Sequence, residues 1–413
     1  TDLPNASAIN YKASAARANN GSYALSSSGG LTIHSDQTSG STHVILDVSG
    51  YFETVATTPT PPPTPPPTPP PGGGGTGPHV WSTDFGGPQA GVDYAKPVGI
   101  VVDGTGASVV LGSLQGTANF GGGSLTSAGG TDMYLVKYSS TGGHVWSKRF
   151  GGTQNDVPKG IAVDASGNVA ITGYFNGAID FGGGALGGSS SATGFLAKFS
   201  PAGAHLWSKR LTTGQTLDEG TAVGFDGAGN VIVAGGFYGT ANFGGGPLTS
   251  AGSEDIVLVK YGSTGGYLWS QRIGGTSEDL VVSLAVDLTT GEFATAGHFS
   301  GSVNFGGGTL SSAGAKDAFV ARFNSSGTHV WSRRWGSSAD DKAQGTAVDS
   351  LGNVAVTGLF NNNVDFGGGP ITNVGGSGSA DIFLVKLSAT GVHLWSRGFG
   401  SSLVANQNGF AGA

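Results

Sequence analysis

The chain has 413 residues, of which 78 are Gly and none is Cys; charged residues make up 11% and the net charge is −7. A glycine share well above the usual roughly 7% excludes a mostly helical protein, because each interior helical glycine costs about 1 kcal/mol relative to Ala. No Gly-X-Y period runs through the chain, and 21 Phe, 10 Tyr and 7 Trp are enough to fill cores, so collagen and wholesale disorder are excluded too. What remains is an all-β chain rich in turns. The acidic balance gives no electrostatic case for nucleic acid. The missing cysteines remove disulfides, thiolate metal sites and Cys nucleophiles. No run of 18 apolar residues occurs, so no membrane-spanning helix is expected. The opening at Thr1, without a signal-peptide pattern, reads as a mature or trimmed product.

Residues 1–57 carry strand-like runs at Leu31–His34 and His43–Val48, separated by Ser/Gly turns. The segments Leu3–Asn10 and Ser41–Phe52 resemble two strands of a β-sandwich module of bacterial secreted proteins. About 50 residues are too few for the whole module, so 1–57 reads as a partial β-sandwich. Residues 58–78 form a Pro/Thr/Gly linker; ten of the 18 prolines lie in Pro59–Pro71. Such a run adopts polyproline II, spanning roughly 40 Å at about 3.1 Å per residue, and serves as a semi-rigid spacer.

Residues 79–413 repeat. The tetrad His/Tyr-Val/Leu-Trp-Ser begins at His79, His144, His205, Tyr267, His329 and His393, at spacings of 61 to 65 residues. Fixed self-similarity means stacked supersecondary units. One unit reads as four strands: a (Gly160–Asp164), b (Asn168–Phe175), c (as Asp132–Tyr138) and d (as His144–Phe150). The turns at 164–168 and 139–143 place glycine where a positive φ is needed. Four strands and a Trp per unit, with no helix, indicate β-propeller blades. The recurring Val-Asp-x-x-Gly-Asn, Asp-x-Phe-x-Val-Lys and Trp-Ser-x-Arg-x-Gly-Gly elements resemble the SBBP-type bacterial β-propeller repeat family. That resemblance implies a propeller in exported or surface proteins and implies no activity. Five full repeats are expected, with partial ends: a lone strand d at 79–85 and the start of another strand a at 409–413.

In such a blade the d–a and b–c connections open on one face. Asp93, Asp156, Asp218, Asp279 and Asp341 lie in the d–a connections, and Asp132, Asp255, Asp317 and Asp381 open strand c beside them. All-oxygen ligands prefer Ca²⁺, which makes Asp93, Asp156, Asp218, Asp279 and Asp341 candidate Ca²⁺ ligands; no other cofactor is expected. The competing reading ranks first: these carboxylates accept from loop N–H groups or pair with Arg149, Arg210, Arg272 and Arg334. Asp103, Asp164, Asp226, Asp287 and Asp349 are turn caps.

Phe-Gly-Gly-Gly recurs at Phe120, Phe181, Phe243, Phe305 and Phe366. No Gly-Lys-Ser/Thr or helix follows, so the phosphate-loop chemistry is missing and Phe reads as a plug between blades. Trp81, Trp146, Trp207, Trp269, Trp331 and Trp395 read as packing residues. Histidines some 60 residues apart lack zinc-ligand spacing, and no Gly-x-Ser-x-Gly elbow occurs.

The reading is a non-catalytic, exported or cell-surface bacterial repeat protein, acting in adhesion or as a scaffold through multivalent propeller loops. Its partners would be other protein subunits or surface glycans. The alternative is a subunit of an extracellular filament that self-associates by pairing of terminal strands. A carbohydrate-active enzyme ranks below both, because acids replicated in near-equivalent settings do not make one differentiated carboxylate pair.

Overall fold

The computed structural model describes residues 94–189, 192–212, 218–375 and 379–400, without the side chains of 94 and 218. The partial β-sandwich expected over 1–57, the linker over 58–78, the lone strand at 79–85 and the chain end at 409–413 lie outside these residues.

The described residues form an all-β array. In the first unit, β1 (Tyr94–Val102), β2 (Ser108–Gln115), β5 (Asp132–Tyr138) and β6 (His144–Phe150) make one antiparallel sheet in that order. These are strands a to d. The same four-stranded sheet recurs four more times, giving blade 2 (Asp156–Arg210), blade 3 (Asp218–Ile273), blade 4 (Asp279–Trp335) and blade 5 (Lys342–Phe399). Strands c and d of the first unit have the bounds read from sequence, whereas strand a of blade 2 starts four residues earlier, at Asp156.

The b–c connection differs from the open loop expected. It folds as a small hairpin, β3 (Thr117–Asn119) against β4 (Ser124–Thr126), and its tip is the Phe-Gly-Gly-Gly element. Each blade is thus the expected four-stranded sheet with a separate two-stranded hairpin added in its b–c connection. Asn119 Oδ1 accepts from the N–H groups of Gly121 and Gly123 at 2.8 and 3.3 Å, which closes the tip.

Every a–b pair is bulged at one place, between Pro97 and Gly99 in blade 1 and between Pro158 and Gly160 in blade 2. The bulge drives backbone against strand b, and glycine stands there: a Cβ on Gly173 would lie 2.2 Å from the Val157 carbonyl oxygen. That register also moves one expected site. Ala95 lies opposite Leu114 as Asp156 lies opposite Phe175, so Ala95 holds the blade 1 position assigned to Asp93; Asp93 itself is outside the described residues.

Strands b and c of the inner blades are buried on both faces, as in strand c of blade 2 (Thr193–Phe199), and read as nearly continuous apolar runs. Their alternate residues face the preceding and the following blade. Four cores fill the four junctions between successive blades. The expected plug is present: Phe181 of blade 2 lies 5.3 Å from Phe150 of blade 1, and Phe366 of blade 5 lies 5.7 Å from Trp335 of blade 4. Burying each such ring contributes on the order of 1.5–3 kcal/mol.

Candidate functional site: the repeated blade junction

Chemistry-bearing side chains concentrate where one blade meets the next. The a–b turn begins it. Asp226 Oδ1 accepts from the N–H groups of Ala228 and Asn230 at 3.0 and 2.9 Å, the Asx arrangement expected of a turn cap. Its other oxygen meets Lys260 Nζ at 2.8 Å, although Lys260 stands in an otherwise apolar strand c. The same pairing joins Lys137 to Asp103 (2.7 Å), Lys198 to Asp164 (3.6 Å), Arg322 to Asp287 (3.4 Å) and Lys386 to Asp349 (3.0 Å).

The cation then reaches across the junction. Lys137, Lys198 and Lys260 donate to the carbonyls of Pro201, Ser263 and Ser325 in the c–d turn of the following blade, at 3.2, 3.4 and 2.9 Å. Arg322 instead donates to the Gly352 carbonyl in the a–b turn of blade 5. The strand-d indole uses the same turn. Trp146, Trp207, Trp269 and Trp331 Nε1 donate to Pro201, Ser263, Ser325 and Ala389 carbonyls at 3.1, 3.0, 3.3 and 2.8 Å. These four tryptophans are packing residues, as expected, and also hydrogen-bonded latches; Trp395 is 40% exposed and Trp81 lies outside the described residues.

These contacts tune the turn carboxylates. Burial alone would raise Asp103, but bonds from Lys137, Thr105 and backbone N–H groups outweigh it and hold it well below the ordinary range. Asp349 is brought down to about 2 by Asn353 and Lys386 against the same burial.

The d–a aspartates go the other way. Asp156, Asp279 and Asp341 are buried, and each accepts from a d–a backbone N–H: Gly152 (2.7 Å), Gly275 (2.7 Å) and Ser337 (2.6 Å). Burial pushes Asp156 up to about 6 and Asp279 up to about 7, with Asp132 and Asp255 adding like-charge repulsion. The Asp218 side chain and Asp93 are not among the described groups.

The expected arginine pairs form at one of the two acidic positions, the start of strand c. Arg149, Arg272 and Arg334 bond the strand-c carboxylates Asp132, Asp255 and Asp317, not the d–a aspartates. Cross-strand neighbours within one sheet reach each other directly, whereas the d–a carboxylate is wrapped by its own loop. In blade 5, Gly398 opposes Phe383 where Arg149 opposes Tyr134, and Asp381 accepts from Val374 N–H at 2.7 Å. Among the described residues no three His, Cys, Asp or Glu side chains converge to hold a metal ion.

The strand-d histidines are accounted for by packing. The ring of His144 lies on the hairpin tip: a Cβ on Gly122 would fall 2.1 Å from it, and Gly183, Gly245, Gly307 and Gly368 meet His205, Tyr267, His329 and His393 in the same way. His205, His329 and His393 Nε2 lie 3.0 to 3.1 Å from the hydroxyl three residues on. The hairpins present paired hydroxyls at the surface, Thr117 with Thr126, Thr240 with Thr249 and Ser302 with Ser311, each at 2.9 Å.

Two features escaped sequence reasoning: the strand-c cation that links turn to neighbouring blade, and the dependence of the triple glycine on the histidine above it. Both left a signal. A cation inside an apolar strand demands a partner, and every Gly-Gly-Gly is followed by a strand d opening with a ring.

Sheets of this order, stacked face to face with equivalent latches, define a protein built of β-propeller repeats. Residues 145–179, from strand d of blade 1 to the hairpin of blade 2, match the family model described as SBBP, beta-propeller repeat; the chain carries a repeat of that family. It is 25% identical over 224 residues to the uncharacterized WD repeat-containing protein L264 of Acanthamoeba polyphaga mimivirus, a match covering 46% of this chain and 16% of that protein. The match thus takes in about a sixth of the curated relative's length. Among solved structures, the chain is similar to a protein of unknown function from Bacteroides caccae (9% identity, 64% of this chain and 89% of that one, TM-score 0.30). It is also similar to the β-propeller domain of the Trilobed protease from Pyrococcus furiosus, described as having an open velcro topology (6% identity, 74% and 93%, TM-score 0.32). A third is Chaetomium thermophilum Sqt1 bound to the N-terminus of ribosomal protein L10 (11% identity, 72% and 70%, TM-score 0.36).

Proposed function

We propose that this propeller-repeat protein is a non-catalytic scaffold, exported or held at a bacterial cell surface, that engages surface glycans or protein subunits through its repeated hairpin tips. The observation that carries the reading is replication of an outward polar feature: the hydroxyl pairs Thr117/Thr126, Thr240/Thr249 and Ser302/Ser311 recur on exposed hairpins of blades 1, 3 and 4. The buried aspartates and strand-c cations, by contrast, are committed to turns, loops and junctions. Weak sites repeated on a rigid frame gain from effective concentration. The Cys-free composition and the Pro59–Pro71 spacer support display outside the cytoplasm.

The test is binding of the full chain to bacterial cells and to their purified surface polysaccharide. Replacing the six hydroxyl residues by Ala should cut retention at least tenfold while leaving the melting temperature within a few degrees. Retention unchanged in a variant that still melts like the parent would sink this reading.

A further inference from the structure

The four internal junctions state what a trailing blade face requires, and blade 5 has the same requirement with nothing described upon it. Trp331 is 6% exposed beneath the c–d turn of blade 5, whereas its counterpart Trp395 is 40% exposed. Trp335 is 4% exposed against Phe366 and Phe383, whereas its counterpart Phe399 is 49% exposed. Strands b and c of the inner blades are buried on both faces. In blade 5 burial alternates, and Ala355, Thr357, Leu359, Ile382, Leu384 and Lys386 are left half-exposed on one face. Two long donors remain on this face: the Trp395 indole, and Arg397, whose counterpart Arg333 donates to the Gly391 carbonyl at 3.0 Å.

The leading face of blade 1 shows the complementary gap. Ile161 and Val163 of blade 2 pack into the core shared with blade 1, but their counterparts Ile100 and Val102 are 63% and 58% exposed. The c–d turn of blade 1 runs from Ser139 to Gly142 with Gly142 at φ 82°, the conformation of Gly203, Gly265, Gly327 and Gly391. Those four glycines are buried, each against an indole, and Gly142 is only half-buried. Among the described residues, no apolar core joins blade 5 to blade 1.

We infer that the trailing face of blade 5 docks the leading face of blade 1 in a second copy of this chain, forming a head-to-tail junction of the internal kind. Trp395 Nε1 then donates to the Ser140 carbonyl, the indole covers Gly142, and Arg397 reaches the Gly142 carbonyl. The occupant is argued from continuity with four junctions of this same chain, whose donors and acceptors are matched position by position. Because the two surfaces differ, the contact is heterologous: it closes a ring of copies or propagates as a fibre. It stacks blade faces, which distinguishes it from edge pairing of terminal strands, and it does not rest on glycan or partner binding at the hairpins.

The experiment uses the full chain. Sedimentation velocity from micromolar to sub-millimolar protein should show mass rising with concentration. Trp395→Ala, and separately Arg397→Glu at a surface position, should each lower the association constant at least about tenfold, with melting of the dilute protein unchanged. The Cys-free background supplies a second readout. An equal mixture of Thr141→Cys and Arg397→Cys single variants, treated with a short bis-maleimide, should give a dimer joining one of each. Constant monomer mass with no heterodimer overturns the inference. So does a double-cysteine chain whose thiols are consumed as monomer, because that outcome places blade 5 on blade 1 of its own chain.

Discussion

The indole N–H of Trp331 donates to the carbonyl of Ala389 at 2.8 Å, bridging blade 4 to the c–d turn of blade 5. One repeat later the same strand position, Trp395, meets no such carbonyl among the described residues. Blades held by equivalent latches depend on their neighbours, so a residue's energetic weight is set by its place in the array as much as by its type.

Trp331→Phe probes one latch. It keeps most of the ring but leaves the Ala389 carbonyl without its indole, at a cost of about 1 kcal/mol. Trp395→Phe in dilute protein should change stability by less than about 0.5 kcal/mol. Denaturant unfolding of both variants decides; equal losses would show that the latch contributes nothing.

The strand-c cations should show the same positional contrast more strongly. Lys260 is buried between Asp226 at 2.8 Å and the Ser325 carbonyl at 2.9 Å. Lys260→Met leaves the Asp226 charge buried and unpaired, which costs about 3–5 kcal/mol. Lys386 pairs with Asp349 at 3.0 Å, with both side chains about a third exposed, so Lys386→Met should cost no more than about 1 kcal/mol. Urea midpoints measured above pH 6 make the comparison, and near-equal losses would contradict it.

The hairpin glycines make a steric prediction. A Cβ on Gly307 would lie 2.2 Å from Cε1 of His329. Gly307→Ala must displace the imidazole and its 3.1 Å contact with Ser332, at a cost of about 1–3 kcal/mol. His329→Ala in the same chain should recover most of that loss, giving a coupling well above about 0.5 kcal/mol in a double-mutant cycle. Additive losses would separate the two residues.

These cases show what the sequence carries and what it does not. Strands c and d were legible to the residue at Asp132–Tyr138 and His144–Phe150 because periodicity, turn glycines and repetition agree there. The hairpin was not, because Thr117–Asn119 and Ser124–Thr126 are too short to show alternation and the glycines between them resemble an open loop. The d–a aspartates and their loop N–H donors were legible as a group, but the carboxylate each arginine takes was not. Whether Arg272 reaches Asp255 or Asp279 depends on cross-strand register, which one sequence leaves open. The offset between Ala95 and Asp93 arises from chain length: Asp93 stands six residues before Gly99 at the bulge, whereas Asp156 stands four before Gly160.

The two classes of carboxylate should pull stability in opposite directions with pH. Asp279 lies near Asp255, Arg272 and Glu278, and burial raises it to about 7 in the folded chain, against about 3.9 when unfolded. The folded state therefore holds more protons between those values, and this group's contribution is greatest below about pH 4 and is lost as pH rises toward about 7. Asp156, raised to about 6, acts in the same sense. Asp349, lowered to about 2, acts in reverse: its contribution is present above the unfolded value and disappears as pH falls toward about 2. Asp279→Asn keeps an oxygen for the Gly275 N–H and removes the titration. It should flatten the decline in melting temperature between about pH 5 and pH 8 and raise stability at the alkaline end. Asp349→Asn should leave that limb alone and flatten the acid limb below about pH 4. Calorimetric melting of the parent and both variants across this range is the check; an Asp279→Asn curve parallel to the parent's from pH 5 to pH 8 would mean that this carboxyl is not held protonated by its burial.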